Sequence, residues 1–151
     1  MPVSKIKDFL DSQNIKYVTI KHSPAYTAQE VAASSHIPGK ELAKTVIIKV
    51  NDEMAMFVLP ASFKINFDLL KNVIGANTVK LAAENEFKDM FPGCEIGAMP
   101  PFGNLYDIEV YVTESLSGEK EIAFNAGSHT ELIKMAYKDF ERVVKPKVMA
   151  F

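Results

Sequence analysis

The chain has 151 residues, of which 48% are hydrophobic and 24% charged, as in a single globular domain and unlike a disordered protein. The net charge of −2 and the pI near 5.9 argue against a protein that coats nucleic acid by bulk electrostatics. The single cysteine, Cys94, excludes an internal disulfide and a multi-cysteine metal site. Because no apolar run approaches the ~18 residues that span a bilayer and no signal-peptide core occurs, we expect one domain, residues 1–151, in the cytoplasm.

The first half of the chain mixes short helical and extended patterns. Ser4 can cap an amphipathic helix, and Asn66 and Gly75 can cap the two ends of another. The β-branched run at 45–48 suits a buried strand. The predicted elements are a helix at 4–13, a strand at 17–20, a helix at 28–35 opened by a capping box that starts at Thr27, strands at 43–50 and 54–59 joined by a turn at Asn51-Asp52-Glu53, and a helix at 67–74.

The second half ends in the pattern that most clearly predicts a helix. Ser128 or Thr130 can cap it, and Ile133, Ala136, Tyr137 and Phe140 recur at helical spacing. Before it, the patterns predict a strand at 78–81, a helix at 83–90, and strands at 106–112 and 121–125; after it, the tail at 148–151 can pair or pack. Strands and helices mix without regular βαβ alternation, which predicts an α+β fold around a mixed sheet.

A loop rich in glycine and proline, Glu95–Gly103, stands just before the strand predicted at 106–112. Glycine permits backbone conformations and close approaches that a Cβ forbids, while proline stiffens a loop and removes N–H donors. Such a loop can hold a backbone shape that binds a ligand. The alternative is an ordinary tight connection.

Two further patterns can carry chemistry. Lys44 begins the most apolar strand, where it can bind a phosphate as a point charge or simply extend from the sheet edge into solvent. Gly127-Ser128-His129 joins a predicted strand to the last predicted helix, a junction that can present N–H groups and the positive helix dipole to an anion. His129 can exchange a proton with a substrate or face solvent.

The remaining histidines and the cysteine are weaker candidates. His22 can line the same cleft, His36 is interpreted as a loop residue, and Cys94 as a buried or incidental thiol. The three histidines do not have zinc-site spacing, and no Walker, GxGxxG or GxSxG motif occurs. The sequence therefore predicts neither a metal nor a cofactor.

Three motifs in register resemble the YbaK-like, prolyl-tRNA synthetase-associated editing domains. They are the lysine that enters the apolar strand (Lys44), the GxxxP loop (Gly97–Pro101) and the late GxH (Gly127–His129), and the segment His22…Thr27…Glu30 is similar to the family's opening. The resemblance covers residues 5–145. It implies a single compact α+β domain with a strongly bent, barrel-like mixed sheet flanked by helices.

The resemblance implies an aminoacyl-tRNA deacylase that hydrolyses the ester of a mischarged tRNA, and the chain length implies a free-standing form that acts in trans. Lys44 would hold the phosphate or ribose of the terminal adenosine. Backbone groups of Gly97–Pro101 would position the ester and a water, and Gly127 and His129 would form the opposite wall. The substrate-binding residues implied are His22, Thr27, Ala98, Met99, Pro100, Pro101, Phe102, Asn125 and Ser128.

The implied partners are the acceptor end of an aminoacyl-tRNA and a prolyl-tRNA synthetase, with no membrane and no DNA. Alanine, serine or cysteine on proline tRNA are the implied substrates, with alanine favoured. Two departures leave the amino acid open: Met99, Pro101 and Phe102 make the loop bulky, and Asn125 stands where a carboxylate is common in the family. The alternative function is a non-catalytic regulator that binds the acceptor end or a nucleotide together with a synthetase.

Overall fold

An eight-stranded mixed sheet organises the part of the chain that the computed structural model describes, residues 2–22 and 37–151. The strands are β1 (Tyr17–Lys21), β2 (Leu42–Val50), β3 (Glu53–Pro60), β4 (Val79–Leu81), β5 (Glu109–Thr113), β6 (Glu121–Asn125), β7 (Glu131–Ala136) and β8 (Lys147–Met149). The helices are α1 (Pro2–Ser12), α2 (Phe67–Ile74), α3 (Glu84–Phe87), α4 (Glu114–Ser117) and α5 (Tyr137–Val144), with a 3₁₀ turn at Gly103–Leu105.

The strands follow the order β1-β7-β6-β2-β3-β5-β8, and β4 pairs with β2 beside this path. The pairs β2–β6, β3–β5 and β5–β8 are parallel, and the other pairs are antiparallel. The predicted mixed sheet flanked by helices is therefore confirmed. Within the described ranges its two ends, β1 and β8, do not meet, so these strands form an open sheet and not a closed barrel.

The central hairpin, β2–β3, forms where the sequence predicts it. Asn51 and Asp52 connect the strands with φ angles of 50° and 69°. Two-residue hairpin turns need such left-handed conformations, which asparagine and aspartate tolerate better than other residues with a Cβ. The turn therefore sets the register in which Val46 faces Phe57 across the pair.

Apolar side chains pack on both faces of the sheet. Ala43 and Ile47 of β2 face the main core, into which α1 and α5 also pack, while Ile48 packs with Leu70 of α2 on the opposite face. Phe102 of the Gly/Pro loop is fully buried in the main core. Its ring centroid lies 5.3 Å from that of Phe124, 5.6 Å from that of Phe140 and 6.0 Å from that of Phe9. Burying such a ring contributes roughly 1.5–3 kcal/mol, which anchors the loop.

The helix predicted over 67–74 is confirmed together with both of its caps. The Asn66 side chain accepts a hydrogen bond from the backbone N–H of Leu69 at 3.1 Å. Gly75 ends the helix with a φ of 78°, and its N–H donates to the carbonyl of Lys71. The capping residues in the sequence therefore predicted both ends of this helix correctly.

The last helix was predicted to begin too early. The residues that follow Thr130 form β7, which pairs antiparallel with β6, and α5 begins only at Tyr137. Leu132 packs on one face of the sheet, whereas Ile133 and Met135 pack on the other. Because β7 is buried on both faces, it has no clean alternation of polar and apolar residues, and its apolar spacing imitated a helix.

Three other predicted segments differ from the structure or lie outside it. The strand predicted at 106–112 begins at Glu109, because the chain first makes the 3₁₀ turn and Asp107 adopts a φ of 59°. The helix predicted at 83–90 is limited to Glu84–Phe87. The helix predicted at 28–35, with Thr27 and Glu30, and His36 lie outside the described residues. In the described ranges, each helix is too short or too polar to cross a membrane.

Candidate functional site

Backbone hydrogen bonds join the Gly/Pro loop to the turn between β6 and β7. The N–H of Glu95 donates to the carbonyl of Gly127, and the N–H of Gly127 donates to the carbonyl of Ala98, both at 2.9 Å. Gly97 and Gly127 have φ angles of 87° and 101°, which residues with a Cβ rarely adopt. The two glycine motifs predicted from the sequence therefore meet in space.

His129 connects the two segments a second time. Its Nε2 lies 2.8 Å from the carbonyl oxygen of Ile96, and since a carbonyl only accepts, Nε2 carries the proton. Its backbone N–H donates to Oε2 of Glu95 at 3.0 Å. A Cβ on Gly97 would lie 3.5 Å from Cε1 of the imidazole. The ring of His129, only 7% exposed, therefore packs against the Gly97 backbone and supports it.

The prediction that Gly127–His129 opens a helix, whose N-terminus could bind an anion, is wrong. Gly127, Ser128 and His129 lie in the β6–β7 turn, so the predicted strand–helix junction does not form there, and in the described ranges no helix begins at these residues. The Ser128 hydroxyl is engaged in the turn itself, where it accepts the N–H of Thr130 at 3.0 Å. A different donor is present: Gly97 is exposed, and within the described part of the chain its N–H has no acceptor.

His22 lies beside the same turn. Its backbone N–H donates to the carbonyl of Thr130 at 2.9 Å. A cavity of about 550 Å³ brings His22 together with Glu95 and Ser128. The other residues that line this cavity are Lys7, Lys21, Thr130 and Glu131.

Lys44 lies one strand away, on the face of the sheet opposite the main core. The parallel β2–β6 pairing ends with Ala43 opposite Phe124, the residues that directly precede Lys44 and Asn125. The Lys44 ammonium donates to the carbonyl of Phe63. Partial burial, and secondarily the charge of Lys64, lower the pKa of Lys44 below its usual value.

Asn125 is the last residue of β6 and stands two residues before Gly127. Its Oδ1 is buried and, among the residues that the structure describes, receives no hydrogen bond. Buried amide oxygens without a donor are uncommon in folded proteins, because losing water without replacement costs free energy. Asn125 therefore presents a polar group at the end of β6, next to the turn in which the two glycine motifs meet.

The second part of the Gly/Pro loop is buried. Ala98, Met99, Pro100, Pro101 and Phe102 are all shielded from solvent, so the exposed part of the loop is 95–97. Phe102 belongs to the core, which leaves its backbone as the group that could meet a ligand. Among these residues, Met99 lines a cavity.

An apolar cavity of about 210 Å³ lies beside Gly97. It opens along β2, which pairs with β6 up to Ala43 and with β4 from Ile48 onward. Between these pairings, in the described part of the sheet, β2 has a strand partner only on its β3 side. The cavity is lined by Thr45, Val46, Ile47, Leu81, Ala82, Glu84, Phe87, Ile96, Gly97 and Met99.

A third cavity, of about 500 Å³, lies at the other end of β6 and β7, around Lys120 and Tyr137, and includes none of the predicted site residues. Sequence reasoning missed Glu95 as a site residue. Its partner His129 is 34 positions away, and only the acidic character of the first residue of the Gly/Pro loop could have suggested it. Thr27 lies outside the described residues.

Solved structures share this fold. A hypothetical protein, APE2540, superposes with a TM-score of 0.82 over 95% of this chain and 96% of its own, at 23% identity. A candidate trans-editing enzyme for prolyl tRNA synthetase superposes with a TM-score of 0.80 over 97% of this chain and 94% of its own, at 19% identity. At these identities the likeness establishes the fold alone.

Sequence comparison identifies the family. A proline–tRNA ligase of Bacillus cereus strain AH187 is 29% identical over 89 residues, as is one of Bacillus mycoides strain KBAB4; the match covers 59% of this chain but only 16% of each ligase. The sequence model of the aminoacyl-tRNA editing domain matches residues 22–143, a range that includes Lys44 and both glycine motifs. The chain therefore belongs to the aminoacyl-tRNA editing domain family.

Proposed function

We propose that this protein is an aminoacyl-tRNA deacylase that acts in trans on proline tRNA carrying a wrong small amino acid: alanine, serine or cysteine, with alanine favoured. The observation that carries the proposal is the exposed N–H of Gly97, held in a left-handed conformation by the β6–β7 turn. Membership of the editing-domain family supports the same chemistry.

The reaction needs little help from side chains, because an aminoacyl ester is already activated. A water attacks the carbonyl carbon, the bond from that carbon to the ribose oxygen breaks, and a proton passes to the leaving oxygen. The products are a free amino acid and a tRNA with a free terminal hydroxyl. The Gly97 N–H is placed to stabilise the developing oxyanion or to orient the ester, and fixed donors of this kind are effective because they need no reorganisation during the reaction.

Lys44 and Asn125 form the nucleotide end of the proposed site. The Lys44 ammonium suits a phosphate or ribose oxygen of the terminal adenosine. The buried amide of Asn125 offers an oxygen that can accept from a ribose hydroxyl or from the substrate amine. In this arrangement the nucleotide lies against β2 and β6 while the ester reaches Gly97.

His129 supports the peptide between Ile96 and Gly97 instead of acting as a free base through Nε2. That nitrogen already donates to the Ile96 carbonyl, so it cannot accept a proton from water without breaking the support. The proposed catalyst therefore consists mainly of backbone groups, and the proposed reaction uses no metal or cofactor.

The test is release of the amino acid from tRNA-Pro charged with alanine, serine or cysteine, with correctly charged Pro-tRNA-Pro and Ala-tRNA-Ala as controls. We expect release from at least one mischarged species while the controls are spared, and no effect of a chelator. Loss of activity with EDTA that zinc restores would contradict the metal-free mechanism. Binding of the acceptor end without any release would instead identify a non-catalytic regulator.

The proposed partner is a prolyl-tRNA synthetase, which would supply the mischarged tRNA in the cytoplasm. Adding purified synthetase with alanine and uncharged tRNA-Pro tests this directly. We expect alanyl-tRNA-Pro to accumulate with the synthetase alone and to disappear when this protein is present. Accumulation that the protein leaves unchanged would argue against this supply route.

A further inference from the structure

Glu95 forms the junction between the Gly/Pro loop and the β6–β7 turn. Its backbone N–H donates to the Gly127 carbonyl at 2.9 Å, and its carbonyl accepts the N–H of Ala98 at 3.0 Å. Its carboxylate accepts the backbone N–H of His129 at 3.0 Å. One residue thus holds three positions of the proposed site.

The carboxylate also faces the imidazole. Oε2 of Glu95 lies 3.8 Å from Nε2 of His129, the nitrogen whose proton is donated to Ile96. Hydrogen bonds from N–H groups to a carboxylate are roughly twice as strong as bonds between neutral groups.

Among the described residues, the lysines around Glu95 form no ion pair with its carboxylate. Lys7 lines the same cavity but pairs with Glu131, with Nζ 3.3 Å from Oε2. Lys21 also lines the cavity, yet among the described residues neither lysine has its ammonium within 4.0 Å of the Glu95 carboxylate, whereas Nε2 of His129 lies 3.8 Å from it. Although the Glu95 side chain is 53% exposed, its oxygen is therefore directed at the turn and not at a neighbouring lysine.

We infer that Glu95 is a positioning residue of the proposed deacylase site. Its carboxylate holds His129, His129 holds the Ile96 carbonyl, and the Ile96–Gly97 peptide thereby keeps the orientation in which the Gly97 N–H meets the substrate. The inference rests on the proposed function. It goes beyond it by assigning a role to a side chain that touches neither the ester nor the nucleotide in the proposed arrangement.

Two substitutions of Glu95 distinguish a positioning role from a simple effect of its negative charge. Glu95→Gln keeps an oxygen that can accept the His129 N–H, whereas Glu95→Ala removes the acceptor. We expect kcat for the mischarged tRNA to fall roughly 10- to 100-fold in Glu95→Ala, because small misplacements of a catalytic group cost about this much. KM should stay within about threefold of wild type, and Glu95→Gln should recover most of kcat, since the Gln oxygen replaces the lost hydrogen-bond acceptor.

The matched control is Glu53→Ala, which removes an exposed carboxylate at the start of β3 that does not line the cavity of Glu95 and His22. Both kinetic constants should be unchanged in this variant. An equal fall of kcat in Glu53→Ala and Glu95→Ala would overturn the inference, because it would reflect net charge and not position.

Amide hydrogen exchange of His129, measured by NMR, reads the hydrogen bond without reference to activity. We expect exchange of this amide to accelerate about tenfold in Glu95→Ala and to stay slow in Glu95→Gln and Glu53→Ala. Unchanged exchange in Glu95→Ala would overturn the inference. Faster exchange in Glu95→Ala with an unchanged kcat would also overturn it. A Glu95→Gln variant whose His129 amide stays protected, but whose kcat is as low as that of Glu95→Ala, would overturn it as well.

Failure of the proposed function and failure of the positioning role can be distinguished. If the wild-type protein released no amino acid from any mischarged tRNA, the proposed function would fall and the positioning role with it. The exchange pattern would still decide whether Glu95 holds the turn. If the wild-type protein is active and only the Glu95 predictions fail, the deacylase stands and the positioning role falls.

Discussion

At the scale of single residues, Gly97 meets two constraints at once. Its φ of 87° lies in the region that disfavours a Cβ, and the imidazole of His129 occupies the space that a side chain would enter, with Cε1 3.5 Å from the ideal Cβ position. A side chain there would both strain the backbone and push the supporting ring away. The residue type therefore follows from the shape of the loop and not only from local flexibility.

Gly97→Val should reduce deacylation at least roughly 100-fold, because a β-branched side chain at this φ deforms the peptide that meets the ester. Single-turnover kinetics on the mischarged tRNA provide the measurement, with a thermal melt to confirm folding. Gly118→Ala is the matched control, since Gly118 has a φ of −85° and a Cβ there meets only ordinary contacts at 3.6 Å and beyond. A fully active Gly97→Val would show that the loop is a plain connection.

Lys44→Ala should cut deacylation sharply while leaving the fold intact. The expected effect is roughly tenfold or more on kcat/KM, because a charge-assisted contact to the nucleotide is lost. Lys49→Ala is the control on the same strand: Lys49 pairs with Glu86 at 2.6 Å and should leave deacylation unchanged. Equal activity of Lys44→Ala and wild type would remove this lysine from the mechanism.

At the scale of secondary-structure elements, those that depend on residues close in sequence were predicted correctly, whereas β7, which depends on pairing with distant strands, was not. The helix α2 and the β2–β3 turn were predicted because capping residues and an Asn-Asp pair act within a few positions. The strand β7 was mistaken for helix because its apolar residues pack on both faces of the sheet, an environment that exists only after β1 and β6 have paired with it. Periodicity cannot report a partner strand that is distant in sequence.

Asn66→Ala should destabilise the protein by about 1 kcal/mol, because it removes the acceptor for the Leu69 N–H at the start of α2. Urea denaturation followed by circular dichroism measures the loss. Asn72→Ala, an exposed change within the same helix, serves as the comparison and should be neutral or slightly stabilising, since alanine has the higher helix propensity. Equal stability of Asn66→Ala and wild type would show that the cap contributes nothing.

At the scale of the whole molecule, the sheet determines which distant residues share a site. The β2–β6 pair ends directly before Lys44 and Asn125, and Gly97 meets Gly127 and His129 through the turn that follows β6. The same packing buries phenols in the core. Burial raises the pKa of Tyr137 to about 12, and that of Tyr106 also well above the usual 10.

Because Tyr137 is buried with a raised pKa, the stability of the protein should fall at alkaline pH. The folded protein holds the Tyr137 proton more tightly than the unfolded chain, so its contribution is fully present below pH 10 and is lost as the pH rises from 10 through 12. We expect the free energy of unfolding to fall by an amount on the order of 1–2 kcal/mol across this window. Urea midpoints at pH 8, 10 and 11 measure it. Tyr137→Phe should make the decline shallower, and an unchanged decline in that variant would contradict the assignment.

The sequence by itself determined the α+β class, the hairpin, the capped helix and the three motifs that resemble the editing domains, because each of these depends on residues that are close in the chain or on a recognisable order of motifs. The tertiary structure decided that Gly127–His129 lies in a turn between two strands and not at the start of a helix, and that the Glu95 carboxylate accepts the N–H of His129 from 34 positions away. The physical reason is that hydrogen bonds between distant segments and burial on two faces of a sheet arise only when the strands pair, and no local pattern encodes either one.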